Sequence, residues 1–386
     1  MLLVVIPFYW IPLQAQEDPP LAQLLPTYVS AGKFPRQDNS EGRAMAKPGL
    51  ILEHAAVPFN DASGNRQAEA SAGFLGAESR LETGVLKPET RGVRWKKITL
   101  IGVGLLGGSL GMAVKKRRLA SSVVGFVRRA ASVEECKGRG AVNYATLDLK
   151  RAVAGAELIV MCTPIAQMRE LVKRMLPALK PGAIVTDVGS VKGSVVRDLE
   201  VRVAKAGAHF VGSHPMAGAE KVGVSAARAE LFEGAVCVVT PTRKSNPAAV
   251  RKVEQLWKSV GARLLKLTPK AHDDLVSRSS HLPHVVAAQL ANLILSPEYS
   301  KEQGMLCANG FRDTTRIASS SPEMWRDIAL ANRQNLSRAL EMFTDDLQDF
   351  RRALERGDAE AVTKFFEQAR DRRERWSKGA GSPSPE

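Results

Sequence analysis

From Lys97 onward, short runs of apolar and β-branched residues alternate with longer segments whose apolar positions recur at helical spacing. The short runs are Ile98–Gly102, Val123–Val127, Leu158–Cys162, Ala183–Asp187, His209–Gly212 and Val236–Thr240. A further helix and strand, Ala248–Val260 and Ala262–Leu267, complete the series. Strands and helices in alternation predict a parallel sheet with helices on both faces. The strand signal then stops. From Pro269 to about Trp376 the pattern is helical throughout, with Leu330, Leu336, Leu340, Phe343, Leu347 and Phe350 marking one stripe. Such a stripe has to be buried, often against a second copy of the same chain.

Before Lys97 the periodicity fails. Residues 14–94 are rich in Pro, Gly, Ser, Ala and Glu, a composition that buries too little apolar surface to offset the entropy of ordering. The expected organisation is therefore a poorly ordered extension (1–94), an α/β domain (95–268), a helical domain (269–376) and a Gly/Ser/Pro tail (377–386). Met1 to Leu13 is apolar, but it lacks a basic start, contains Pro7 and Pro12, and is too short to span a bilayer. A cytoplasmic protein with no membrane partner is expected.

Charge sharpens this picture only slightly. The chain carries a formal +15. Residues 1–94 hold nine basic and ten acidic residues, which leaves +16 for residues 95–386. A basic field attracts any anion, from nucleic acid to a small carboxylate. Neither aromatic platforms nor a recognition motif accompanies the arginines, so no nucleic-acid partner is expected. The four cysteines, Cys136, Cys162, Cys237 and Cys307, form no C-x-x-C pair and read as reduced thiols rather than zinc ligands.

The first strand runs directly into Gly102-Val-Gly104-Leu105-Leu106-Gly107 and then a helix. This is the glycine fingerprint of a Rossmann-type dinucleotide site. Gly102 permits the tight turn, Gly104 lets the backbone approach a pyrophosphate, Gly107 allows close helix–strand packing, and the helix N-terminus offers unpaired N–H groups. Thr163, after the run ending at Cys162, belongs to the same expected cofactor site. NAD-selective versions end the second strand with an acid that bonds the ribose hydroxyls. Here that strand ends Val127-Arg128-Arg129. Either arginine can meet a 2′-phosphate, stack on adenine or face water, so NAD+ and NADP+ both stay open.

Three further segments carry chemistry: Thr186-Asp-Val-Gly-Ser190-Val-Lys192, Gly212-Ser-His214-Pro-Met-Ala-Gly218-Ala-Glu220, and Gly310-Phe-Arg312-Asp-Thr-Thr-Arg316 with Met324-Trp325-Arg326-Asp327 behind it. The first two follow strands, so their polar residues are expected at the carboxyl edge of the sheet, where open α/β sheets bind ligands. In order and spacing, these segments and the fingerprint resemble the prephenate/arogenate dehydrogenase family from about Lys97 to Trp376.

That resemblance implies oxidative decarboxylation of prephenate, or of arogenate, coupled to NAD(P)+ reduction in tyrosine biosynthesis, with NAD+ the family habit. His214 matches the catalytic histidine, suited to take the proton of the substrate's ring hydroxyl. Ser190 matches a serine that keeps histidine and hydroxyl in register, although it would also suit a helix N-cap, and both roles can coexist. Arg316 matches the arginine that grips a substrate carboxylate, with Trp325 closing over the ring. In Ser279-Ser-His281-Leu-Pro-His284, His284 is favoured as the substrate-reaching histidine. A kink-packing role for this pair beside Pro283 competes, and no metal is expected. Glu220 takes a supporting place near the mouth, and Lys192 and Lys221 would add to a positive funnel. The family also implies a homodimer built on the helical domain. A non-enzymatic dinucleotide sensor is the rival of a different class, and His214, Ser190 and Arg316 argue against it.

Overall fold

The computed structural model describes residues 94–218 and 222–380. Expectations for the extension before Arg94 and for Glu220 and Lys221 lie outside the described residues. The α/β part comprises β1 (Trp95–Ile101), α1 (Leu105–Lys116), β2 (Ala120–Phe126), α2 (Ala131–Gly138), β3 (Tyr144–Thr146), α3 (Leu149–Val153), β4 (Leu158–Met161) and α4 (Ile165–Met175). It continues with β5 (Ile184–Asp187), α5 (Gly193–Lys205), β6 (His209–Pro215), β7 (Val236–Thr240), α6 (Pro247–Ser259) and β8 (Arg263–Lys266). One eight-stranded sheet results, in the order β3-β2-β1-β4-β5-β6-β7-β8. The strand order reverses between β1 and β4, and that reversal opens the crevice in which doubly wound sheets hold ligands.

Both faces of the sheet are covered, which explains why its central strands read as unbroken apolar runs. Ile98, Leu100, Leu158 and Val160 point into one core, shared with Leu110 and Trp257. Ile101, Ile159 and Met161 point into the other, with Met168 and Leu199. Helix α1 packs closely because Gly111 has no side chain: a Cβ there would sit 2.0 Å from the Ala141 carbonyl in the turn before β3 and 3.0 Å from the Leu100 side chain of β1.

Two strand expectations need correction. β7 runs antiparallel to β6, with Gly212 opposite Thr240 and His214 opposite Val238, so the sheet is mixed. A parallel return needs a crossover, usually a helix. Among the described residues, the chain between Pro215 and Val236 forms only a 3-10 turn at Val224–Ala226, and it comes back along the neighbouring edge. The same pairing draws His214 into β6, where the sequence pattern ends the strand at Gly212. β3 was not foreseen, because three residues with an exposed Tyr144 give no periodicity to read.

From Pro269 every described element is helical: α7 (Pro269–Val276), a π segment (Ser277–His281), α8 (Leu282–Ile294), α9 (Lys301–Met305), α10 (Asn309–Thr315), a 3-10 turn (Arg316–Ser319), α11 (Pro322–Ala331), α12 (Arg333–Glu355) and α13 (Ala359–Ala380). The last helix runs four residues into the segment expected to be irregular. Just ahead of Pro283, where a kink is expected, the helix takes a π turn in which Leu282 N–H donates to the Ser277 carbonyl. Among the described residues no helix is long and apolar enough to cross a membrane.

Candidate active site

The crevice between β1 and β4 is lined by Gly102, Gly104, Arg128, Arg129, Ser132 and Thr163, among others, and no lining residue is acidic. Gly102 turns with φ +94°, and a Cβ there would meet the Cys162 carbonyl at 2.8 Å. Gly107 approaches so closely that its Cβ would lie 2.1 Å from the Gly102 carbonyl, whereas Gly104 faces open space. Helix α1 starts with no side-chain cap and no acid in its first turn, leaving its N–H groups and positive dipole end for an anion. Thr163 Oγ1 is buried here without a hydrogen-bond partner. These features fit a dinucleotide: an open glycine face and free N–H groups for the pyrophosphate, and an orphan hydroxyl for the ring or ribose. Leu105 and Leu106 are instead partly buried against the core. They open helix α1 and do not line the crevice.

His214 is buried near the end of β6, two strands from β4. Its Nδ1 lies 2.9 Å from His272 Nε2, and His272 Nδ1 lies 2.8 Å from Asp273 Oδ1. Burial first, then coupling to His272, Lys192 and His281, holds the His214 imidazolium well below the ordinary 6.5, so the ring is neutral near pH 7. The strand beside it is clamped from below. Asp187 accepts the Ser213 N–H at 3.2 Å, and Lys192 donates to the Ser213 carbonyl at 2.7 Å. Lys192 and Asp187 form a fully buried ion pair. Lys192 is therefore not part of an open funnel: its ammonium is spent beneath β6, where a carboxylate and a carbonyl satisfy it.

Ser190 sits partly buried in the loop after β5 and does not cap the next helix. That helix begins at Gly193 with no side-chain cap from its own segment. Asp273 takes the job from α7, accepting Lys192 N–H and Gly193 N–H at 2.7 Å each. The helix-cap reading of Ser190 falls away, since the N–H groups it would serve already have a carboxylate.

A second cluster forms around Trp325. His284 stacks on its indole at 3.7 Å between centroids, and His281 meets it edge-on at 6.0 Å. His284 Nδ1 donates to the Ser280 carbonyl at 2.9 Å, which leaves Nε2 as an acceptor. Asn332 holds the other ring: its Nδ2 donates to the Asp273 carbonyl at 2.8 Å and lies 3.2 Å from His281 Nδ1. His281 Nε2 and Trp325 Nε1 are both buried without partners. Burial lowers the His281 pKa to about 4 and also lowers that of His284. Arg316 is exposed and opens the 3-10 turn that packs on α8, the helix carrying His284. Helix α11, with Trp325, packs on α4, which follows Thr163.

Sequence reasoning thus named residues in two clusters, but it missed the links within them. His272, Asp273 and Asn332 were not singled out, and neither was the Asp187–Lys192 pair. The only available signal was an adjacent His-Asp pair opening the helical region. Its contacts lie 58 to 81 residues away in sequence, beyond any local pattern. Among the described residues no group of three or more His, Cys, Asp or Glu could hold a metal ion, and all four cysteines are free.

Comparison with known proteins gives a consistent result. The profile described as "Prephenate dehydrogenase, nucleotide-binding domain" matches residues 110–266, and "Prephenate dehydrogenase, dimerization domain" matches residues 268–368. The prephenate dehydrogenase of Bacillus subtilis is 34% identical over 282 residues, covering 72% of this chain and 75% of the relative. The cyclohexadienyl dehydrogenase of Zymomonas mobilis is 32% identical, covering 72% and 95%. Among solved structures, prephenate dehydrogenase from A. aeolicus in complex with hydroxyphenyl propionate and NAD+ is similar with a TM-score of 0.68 and 31% identity, covering 72% of this chain and 98% of that one. Matched on both halves of its described fold, the chain belongs to the prephenate dehydrogenase family.

Proposed function

We propose that the chain converts prephenate to 4-hydroxyphenylpyruvate and carbon dioxide while reducing NAD(P)+, a step of tyrosine biosynthesis in the cytoplasm. The observation that carries this reading is His214: a neutral, buried imidazole near the carboxyl edge of the sheet that holds the glycine crevice. Bound NAD(P)+ supplies the hydride acceptor. The chain's residues do the rest. His214 takes the proton of the ring hydroxyl as carbonyl character develops, and Ser190 keeps that hydroxyl and the imidazole in register. The ring carboxylate leaves as carbon dioxide, its bonding pair makes the ring aromatic and moves onto the carbonyl oxygen, and the His214 imidazolium returns its proton to that oxygen to give the phenol.

Arg316 grips a substrate carboxylate, and His284 and Trp325 form one wall. The orphan N–H of Trp325 supports this assignment, because a buried donor without a partner is costly until a ligand supplies an acceptor. The domains divide at 268/269, and the functional unit is a homodimer formed through the helical domain. Support comes from the stripe on α11 and α12, where Leu330 is 59% and Leu347 46% exposed in a single chain. Sedimentation should give twice the chain mass.

Cofactor choice is argued from the crevice mouth. Arg128, Arg129 and Ser132 line it with no acid among them, so a 2′-phosphate meets two guanidinium groups rather than a carboxylate. We expect NADP+ to bind at least as tightly as NAD+. Arogenate is the second substrate reading, favoured by the likeness to a cyclohexadienyl dehydrogenase over 95% of that relative. Turnover of purified protein on both substrates with both cofactors tests everything at once. The proposal fails if neither substrate reduces either cofactor.

A further inference from the structure

We propose that Asp273 and His272 are positioning residues that fix the tautomer of His214, so that its Nδ1 carries the proton and its Nε2 presents the lone pair. The argument is one of hydrogen-bond direction. Asp273 Oδ1 accepts the Lys192 N–H at 2.7 Å, and Oδ2 accepts the Gly193 N–H at 2.7 Å. Backbone N–H groups only donate, so both carboxylate oxygens are held as acceptors by α5. His272 Nδ1, 2.8 Å from Oδ1, must then be a donor. In a neutral imidazole the other nitrogen is an acceptor, so His272 Nε2 accepts, and its partner at 2.9 Å, His214 Nδ1, donates. His214 is left with a bare Nε2. The polarity is set by the peptide bond direction at the start of α5 and passes through one carboxylate and one ring.

All three side chains are buried: His272 is 0% exposed, Asp273 6% and His214 7%. Water therefore cannot reshuffle the protons. When Nε2 takes a proton, the new imidazolium keeps its Nδ1–H on His272, whose Nδ1–H stays on the Asp273 carboxylate. No proton leaves the pair of rings. The backbone carbonyl of Asp273 also accepts from Asn332 Nδ2, which fixes the acid from a third side.

The inference rests on His214 as proton acceptor, and its test separates the two. Nitrogen-15 spectra of histidine-labelled, substrate-free protein near pH 8 report each ring's tautomer without any turnover. His214, assigned by the loss of its signals in His214→Asn, should show a protonated Nδ1. In Asp273→Leu, whose side chain accepts no hydrogen bond, nothing holds the His272 Nδ1–H, and His214 should show both tautomers instead of a single protonated Nδ1. That variant should lose about 100-fold or more in kcat, with KM and cofactor Kd within about threefold.

Because Leu at 273 weakens the start of α5, His272 gives an independent arm. His272→Gln retains an acceptor for the His214 N–H and should keep at least tenfold more kcat than His272→Leu, at comparable folded content. A His214 ring protonated on Nε2 in the unaltered protein, or equal kcat in the Gln and Leu variants, overturns the proposal. If the tautomers are as stated but no cyclohexadienol is turned over, the functional reading fails and the relay stands.

Discussion

At the scale of single residues, burial of titratable groups sets the strongest expectations. His281 has its pKa lowered from 6.5 to about 4 by burial, and His214 is lowered in the same direction. The unfolded chain therefore binds protons that the native state refuses. The resulting stability is complete above pH 6.5 and is lost as pH falls from there toward 4, by about 3 kcal/mol for His281 alone. Urea midpoints measured between pH 7.5 and 4.5 should fall accordingly, and His281→Asn should flatten that slope. The acid limb of kcat should likewise lie below the ordinary imidazole range. Lys192 makes a separate case. Lys192→Met strands the buried Asp187 carboxylate and should cost about 3–5 kcal/mol. Adding Asp187→Asn, which removes the orphaned charge, should restore part of that loss in thermal unfolding. Of these residues only His214 was singled out in the sequence as a catalytic group, and His281 only as one of a histidine pair. Lys192 was visible, but its burial was not, since nothing local distinguishes a lysine that neutralises a neighbouring strand from one in solvent.

At the scale of elements, the fingerprint was legible because its constraints are local: a turn, a close approach and a helix start follow one another within six residues. Gly107 shows how tight that constraint is. Gly107→Ala places a methyl against the Gly102 carbonyl, a backbone atom that cannot swing away, so α1 must shift. Cofactor affinity should drop at least about tenfold, alongside about 1–3 kcal/mol of stability, measured by calorimetric titration and thermal melts. The direction of β7 was not legible, because strand patterns report burial and not polarity. The π segment escaped for a similar reason. Pro283 announces a break, but whether the chain answers with a bend or a wider turn depends on what packs beside it, here α12 with Asn332.

At the scale of the whole molecule, the excess of sixteen positive charges over residues 95–386 should draw a dianionic substrate toward the protein. Raising salt from about 0.02 to 0.3 M should lower kcat/KM through KM, since screening shortens the reach of the field from tens of ångströms to a few. The two-part architecture was legible from periodicity alone, yet the way the parts are joined was not. The first helix beyond the sheet does not merely follow it, because Asp273 occupies the open end of α5 on behalf of the other half. The protein should accordingly melt as one cooperative unit in a calorimeter. A chain stopped at residue 267 would leave two amide hydrogens of α5 unanswered and the His214 imidazole without its neighbour, and it should be markedly less stable than its intact sheet would suggest.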